Sequence, residues 1–138
     1  MARYTETHIE HQAQVRRVLS FVREHSDLPL SLAELADVAC QSPYHFERVF
    51  REQTGLTVMQ HVRNVKLVES ALQLHLTDRK IVDIGLDAGY ANPESFSRAF
   101  RRYFGISPSQ YRNENAVQST TRTQAYQKQK GTIMSEIS

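Results

Sequence analysis

A pattern recurs in this chain at a spacing of 50 residues. The first copy reads Pro43-x-x-Phe46-x-Arg48-x-Phe50-Arg51-x-x-x-Gly55-Leu56-Thr57, and the second reads Pro93-x-x-Phe96-x-Arg98-x-Phe100-Arg101-x-x-x-Gly105-Ile106-Ser107. Six positions are identical and two are conservative. Each copy has a proline at its start, phenylalanines one turn apart and a glycine at its end, the punctuation of one amphipathic helix. The duplication restricts the fold to two halves built on one plan. A chain of 138 residues has room for one compact unit or two small ones.

Every strong periodicity is helical, and no run alternates as a strand does. The expected class is all-α: two helix-turn-helix subdomains joined by a long central helix, about seven helices in total. The first helix covers roughly 9–25, with Val15, Val18, Leu19 and Val22 on one face and Pro29 beyond its end. Ser31 with Glu34 forms a capping box for the second, which turns Leu32, Leu35, Ala36 and Ala39 inward. Ser42 caps the third, Pro43 takes its first position, and Gly55 suits the left-handed residue past its end. Thr57 and Gln60 box the fourth, which runs to about Leu76 with Val58, Val62, Val65, Leu72 and Leu76 in its apolar stripe. A Thr77-Asp78 cap is expected to open the fifth, about 80–88, before Gly89. Asn92 and Pro93 open the sixth, which ends near Phe104-Gly105, and a short seventh runs from Ser107-Pro108 to about Asn113.

The repeat extends upstream with a slip. Leu32, Leu35, Ala36, Ala39 and Cys40 match Ile81, Ile84, Gly85, Ala88 and Gly89 at an offset of 49, so the second inter-helix turn is one residue longer. Small residues recur at Ala36 and Gly85, where the following helix crosses closely. Each half is a helix, a short turn and a second helix.

At 100° per residue, Phe46, Val49 and Phe50 share one side of the third helix, as Phe96, Ala99 and Phe100 share one side of the sixth. These are core positions. The opposite sides carry Tyr44, Glu47, Arg48 and Arg51 on one helix, and Glu94, Ser97, Arg98, Arg101 and Arg102 on the other. One charged face is ordinary, and Glu47–Arg51 and Glu94–Arg98 are also i, i+4 pairs that stabilise a helix. The same outward arginine on the second helix of two such units points to a repeating partner, and duplex DNA repeats every helical turn. Arginine donates two hydrogen bonds to guanine O6 and N7, glutamate accepts from cytosine N4, and Tyr44 can meet a thymine methyl or a phosphate. A fourth helix of about twenty residues is roughly 30 Å long, near the roughly 34–36 Å between successive major-groove faces. The expected partner is double-stranded DNA with two unlike half-sites about one helical turn apart, read by a monomer. Phosphate contacts are expected at helix starts and nearby donors: Ser42, Asn92, Arg102, Ser107 and Ser109.

Other classes find little support. The net charge is a modest +2, but its placement is uneven: Arg98, Arg101, Arg102 and Arg112 lie in a stretch without acids, and Arg63 and Lys66 follow the first copy. Single Cys40 excludes an internal disulfide and suits a reducing cytosol, so a cytoplasmic location is expected. The N-terminus has no signal-peptide core, and no apolar run approaches a membrane span. His8, His11, His25, His45, His61 and His75 are scattered without metal-ligand spacing. There is no phosphate loop, nucleophile elbow or carboxylate pair, so neither a cofactor, a metal nor an enzymatic activity is expected.

The second half resembles the signature of the AraC/XylS family of bacterial transcription regulators. It runs Ile81-Val82-x-Ile84-Gly85-x-x-x-Gly89-Tyr90-x-Asn92-Pro93-x-x-Phe96-x-Arg98-x-Phe100-Arg101-x-x-Phe104-Gly105-x-Ser107-Pro108-x-x-Tyr111-Arg112 without a gap. The first half is similar through Leu30-Ser31-Leu32-x-x-Leu35-Ala36 and Ser42-Pro43-x-x-Phe46-x-Arg48-x-Phe50, and coverage is about residues 12–113. The resemblance is to the compact members, monomeric activators of seven helices. It implies that Tyr44, Glu47, Arg48, Glu94, Ser95, Ser97 and Arg98 fall where the family reads bases, and that RNA polymerase is recruited. Two departures stand out. Cys40 occupies a turn position where many members have glycine, so either the turn differs or the residue is strained. Glu47 and Glu94 stand where compact members often carry glutamine, which leaves the target sequence open.

Domain boundaries follow: a DNA-binding domain over 1–113, made of a first unit at 8–56, a linking helix at 57–76 and a second unit at 77–113. Residues 114–138 are polar without apolar periodicity and are expected to be a flexible tail or linker. Such a linker can lead to an effector-binding domain, making the chain the DNA-binding part of a larger ligand-responsive regulator. The rival class is a helical module whose units bind protein.

Overall fold

The computed structural model describes residues 6–114. Among these are seven helices and no strand: α1 (Glu6–Glu24), α2 (Leu32–Val38), α3 (Pro43–Thr54), α4 (Val58–Leu76), α5 (Ile81–Asp87), α6 (Pro93–Phe104) and α7 (Pro108–Glu114). The expected all-α class holds. The expected polar tail lies outside the described residues except for Glu114, which closes α7. Two compact units divide between Arg63 and Asn64, inside α4.

In the first unit α1, α2 and α3 pack on one another. Buried there are Val15, Val18 and Val22 of α1, Leu35, Ala36 and Ala39 at α2, and Phe46, Val49 and Phe50 of α3, with Val58 and Val62 from the start of α4. Leu19 and Leu32, expected inward, are half-buried. Helix starts are fixed by side-chain oxygens accepting from backbone N–H groups that have no helical partner. Ser31 accepts from Glu34 N–H and Ser42 from His45 N–H. Thr57 accepts from Gln60 N–H at 3.1 Å while Gln60 accepts from Thr57 N–H at 2.9 Å. Gly55 closes α3 at φ +78°.

The second unit buries Phe96 and Phe100 of α6 with Leu67, Ala71 and Leu74 of α4 and Ile84 and Ala88 at α5; Ile81, Tyr90, Phe104 and Tyr111 pack against them. Rings touch in sequence, Tyr90 to Phe96 at 5.7 Å, Phe96 to Phe100 at 5.8 Å and Phe100 to Tyr111 at 5.5 Å between centroids. Burial pushes the Tyr111 hydroxyl pKa up. One cap expectation fails. Lys80 precedes α5 without a side-chain cap. Thr77 instead donates to Gln73 O at 2.6 Å and accepts from Arg79 N–H at 3.3 Å, so it closes α4 and does not open α5.

Both helix-turn-helix turns begin alike. Cys40 N–H donates to Asp37 O and Gln41 N–H to Ala36 O; Gly89 N–H donates to Leu86 O and Tyr90 N–H to Gly85 O. This is the Schellman pattern, and it demands a left-handed residue at Cys40 and Gly89. Gly89 has φ +96° and Cys40 has φ +58°, the one non-glycine residue with positive φ among those described. The turn therefore does not differ at cysteine; the cysteine carries the strain. The connection then needs residues 39–42 in the first unit and 88–92 in the second, one more, as the offset requires. The residues at the crossing also differ. A Cβ on Gly85 would lie 2.9 Å from the Phe96 ring, whereas Ala36 has its methyl buried at the matching place.

His61 is 6% exposed and lies 5.7 Å from the Phe50 ring, with its Nε2 unpartnered among the described residues. Burial, with the nearby Arg23 guanidinium adding to it, holds its pKa below the ordinary imidazole value.

Gly85→Ala should destabilise the fold by about 1–3 kcal/mol through overpacking on Phe96, and Cys40→Gly should stabilise it by roughly 0.5–1 kcal/mol by relieving the left-handed strain. Urea denaturation of the two variants measures both, and a neutral Gly85→Ala would show that the α5–α6 crossing gives way. His61 makes stability pH-dependent. The unfolded state takes a proton at an imidazole pKa of about 6.5 while the folded state resists, so stability is full above that value and falls as pH drops toward the lower folded one. His61→Phe should flatten this part of the difference between pH 7 and pH 5.5, read as the change in denaturation midpoint.

Candidate nucleic-acid interface

Because the phenylalanines of α3 face inward, its other side is exposed. Tyr44 is 84% accessible, and Arg48, Arg51 and Glu52 are exposed beside it. With Leu32, Pro43 and Glu47 they line an open groove of about 530 Å³. The Arg48 Nη2 group is 3.3 Å from His45 Nδ1. On α6, Glu94, Arg98, Arg101 and Arg102 are exposed, and Ser95 and Ser97 are half-buried. Neither Glu47–Arg51 nor Glu94–Arg98 closes to an ion pair among the described residues. Helix-stabilising pairing thus does not occupy these arginines, which keep their donors for another acceptor.

Glu47 is placed differently from its neighbours. It is half-buried, and its Oε2 accepts from Val58 N–H at 3.2 Å. That bond satisfies an unpaired donor at the start of α4, where a negative charge also opposes the positive end of the helix dipole. Oε1 and a second lone pair on Oε2 remain for an outside donor.

The phosphate candidates are largely caps. Oxygens of Ser42, Asn92 and Ser107 accept from His45, Ser95 and Gln110 N–H groups at 3.2, 2.8 and 3.1 Å. Their hydroxyl protons and the Asn92 amide can still donate outward. Ser109 and Arg102 are exposed.

Two basic residues credited to a charged surface are elsewhere. Lys66 is only 9% exposed and sits within α4, unlike exposed Arg63. Arg112 spreads its guanidinium over three carbonyls: Nε donates to Leu74 O at 2.9 Å, Nη1 to Arg79 O at 2.7 Å and Nη2 to Thr77 O at 3.1 Å. It clamps α7 to the end of α4, where carbonyls lack helical partners and the dipole is negative. Nothing local in the sequence marks this role, because its acceptors lie more than thirty residues upstream. The reach of His45 to Arg48 was also passed over, although its i, i+3 spacing on one helix was visible. Among the described residues no helix is long and apolar enough to cross a membrane, and no group of three His, Cys, Asp or Glu side chains is placed to hold a metal.

Comparison with known proteins follows the same lines. Residues 35–114 match the helix-turn-helix domain family. The chain is 35% identical over 105 residues to the regulatory protein SoxS of Salmonella typhimurium, covering 76% of this chain and 98% of that protein. It is 37% identical over 98 residues to the right origin-binding protein of Escherichia coli K12, covering 71% of this chain but only 34% of that protein. The crystal structure of an AraC-type transcriptional regulator from Chromobacterium violaceum superposes with a TM-score of 0.72 at 26% identity, over 78% of this chain and 96% of the other. The DNA-binding domain of the transcriptional factor AdpA, solved in complex with a target DNA, gives 0.66 at 26% identity over 73% and 91%.

Arg112→Ala should lower stability by about 2 kcal/mol, since it removes charge-assisted hydrogen bonds from helix-end carbonyls. Arg102→Ala should leave stability within about 0.5 kcal/mol as an exposed surface change. Thermal melts of the two variants side by side test the separation, and equal melting temperatures would contradict the clamp.

Proposed function

The chain belongs to the AraC/XylS family of helix-turn-helix transcription regulators, and on that footing we propose how it engages DNA. It is a sequence-specific binder of double-stranded DNA, and its two units place α3 and α6 in consecutive major grooves of two unlike half-sites. The observation that carries this reading is the repeated outward face: exposed arginines at matching places on the second helix of both units, with the phenylalanines behind them buried. Tyr44, Arg48 and Arg51 read one half-site, with Glu47 contributing through its remaining oxygen. Glu94, Ser95, Ser97, Arg98 and Arg101 read the other. Ser42, Asn92, Arg102, Ser107 and Ser109 hold phosphates by donating from the starts of α3, α6 and α7 and from the outer face of α6. The protein acts as a monomer in the cytoplasm, and activates by engaging RNA polymerase once bound. The AdpA domain bound to its target DNA supports the partner class, being similar over most of this chain.

Arg98→Ala should weaken specific sites by roughly 1–3 kcal/mol and relax preference at one base pair, and Arg48→Ala should do the same at a different base pair in the other half-site. Selection of bound fragments from random duplexes, run on both variants, reads the positions. A loss shared by all sequences would make either residue a phosphate contact, and relaxation of the same base pairs by both would sink the two-groove reading. Affinity should also fall linearly on a log–log plot against salt, with a slope of about 0.9 per phosphate neutralised; a flat response would favour a protein partner.

A further inference from the structure

His45 sits on α3 one turn before Arg48 and beside α1. Its backbone N–H is held by Ser42 Oγ at 3.2 Å. Its ring meets the edge of the His11 ring from α1, with centroids 5.6 Å apart and planes at 69°. Its Nδ1 lies 3.3 Å from Arg48 Nη2. A guanidinium has donors and no acceptor. Nδ1 must therefore accept, which requires a neutral His45 with its proton on Nε2. The half-buried ring is thus fixed from two sides and offers one lone pair to the exposed arginine.

We propose that His45 is a positioning residue for Arg48: the ring, braced by His11, aims the guanidinium by accepting its hydrogen bond. The proposal rests on the assignment of Arg48 as a base-reading residue. Held by one hydrogen bond, the guanidinium loses less rotamer freedom on meeting a base than a free side chain does. Loss of the acceptor should therefore lower discrimination at the base pair read by Arg48.

The ratio of affinities for two duplexes that differ only at that base pair isolates the effect, because both duplexes present the same phosphates. The comparison uses the full chain as wild type, Arg48→Ala, His45→Leu, which has no acceptor, and His45→Asn, whose side-chain oxygen can replace Nδ1 as the acceptor. Arg48→Ala defines the base pair and is expected to reduce the ratio about ten-fold. His45→Leu should lower the ratio toward that of Arg48→Ala, and His45→Asn should restore it toward the wild-type value. If Arg48→Ala relaxes the preference but His45→Leu does not, or if His45→Asn is as low as His45→Leu, the positioning role is overturned while base reading by Arg48 stands. If Arg48→Ala changes no base preference, the base-reading assignment itself fails, and the positioning role with it.

Discussion

Phe46 and Phe50 lie one turn apart on α3, and Phe96 and Phe100 do so on α6; none of the four exceeds 1% exposure. A buried aromatic pair fixes the rotation of a helix about its own axis. With two rings driven inward at i and i+4, the residues half a turn away have no choice but solvent. That single constraint turns Arg48 and Arg51 outward on one helix, and Arg98 and Arg101 outward on the other. A register shift of one residue would rotate either face by 100° and bury an arginine beside the core, where an unpaired charge is costly. The exposed chemistry of each unit is thus a consequence of its core.

The turns show how the same plan tolerates different residues. In both units the first helix ends in the same pair of backbone hydrogen bonds, so both need a left-handed residue at one place. Glycine meets the demand in the second unit and cysteine in the first. At the crossing the preference is reversed: Ala36 fits in the first unit, but the second accepts only Gly85 because Phe96 stands within 3 Å of where a methyl would be. The two units differ in where they are constrained: the first holds a non-glycine residue at its left-handed turn, and the second leaves no room for a side chain at its helix contact. Neither location is free to drift, since each is tied to the position of the aromatic pair that follows.

Most of the architecture was legible in the sequence because it is encoded locally. Caps at Ser31, Ser42, Thr57 and Asn92 work within one turn of the chain, and prolines and glycines punctuate the helices at the same range. The longer turn of the second unit was legible as an offset. Thr77 misled because a hydroxyl that can open a helix can also close the preceding one, and the choice rests on backbone direction at Asp78 and Arg79. The places of Arg112 and Lys66 were hidden for a different reason. Each carries a charge at the end of a long side chain whose place is set by packing: Arg112 reaches carbonyls more than thirty residues upstream, and Lys66 is 9% exposed on α4; the bond from Val58 N–H to Glu47 is likewise non-local. Composition cannot distinguish a guanidinium that clamps a helix end from one that awaits a phosphate.

That distinction bears on how a protein with a net charge of only +2 can favour DNA. Counterion release depends on the cations placed against phosphates and not on the sum over the chain. Removing Arg112 and Lys66 from the surface tally leaves Arg48, Arg51, Arg98, Arg101 and Arg102 exposed on two helices, while Glu47 on α3 bonds the start of α4. Spending Glu47 on a backbone N–H has two effects at once. It secures the join between α3 and α4, and it ties down one oxygen of a carboxylate that lines the groove with Arg48 and Arg51. The electrostatic field of that face therefore depends on an internal hydrogen bond: Glu47→Gln would keep a carbonyl oxygen for Val58 N–H, delete the charge, and separate the two effects, with stability reporting the first and the salt slope of DNA binding the second.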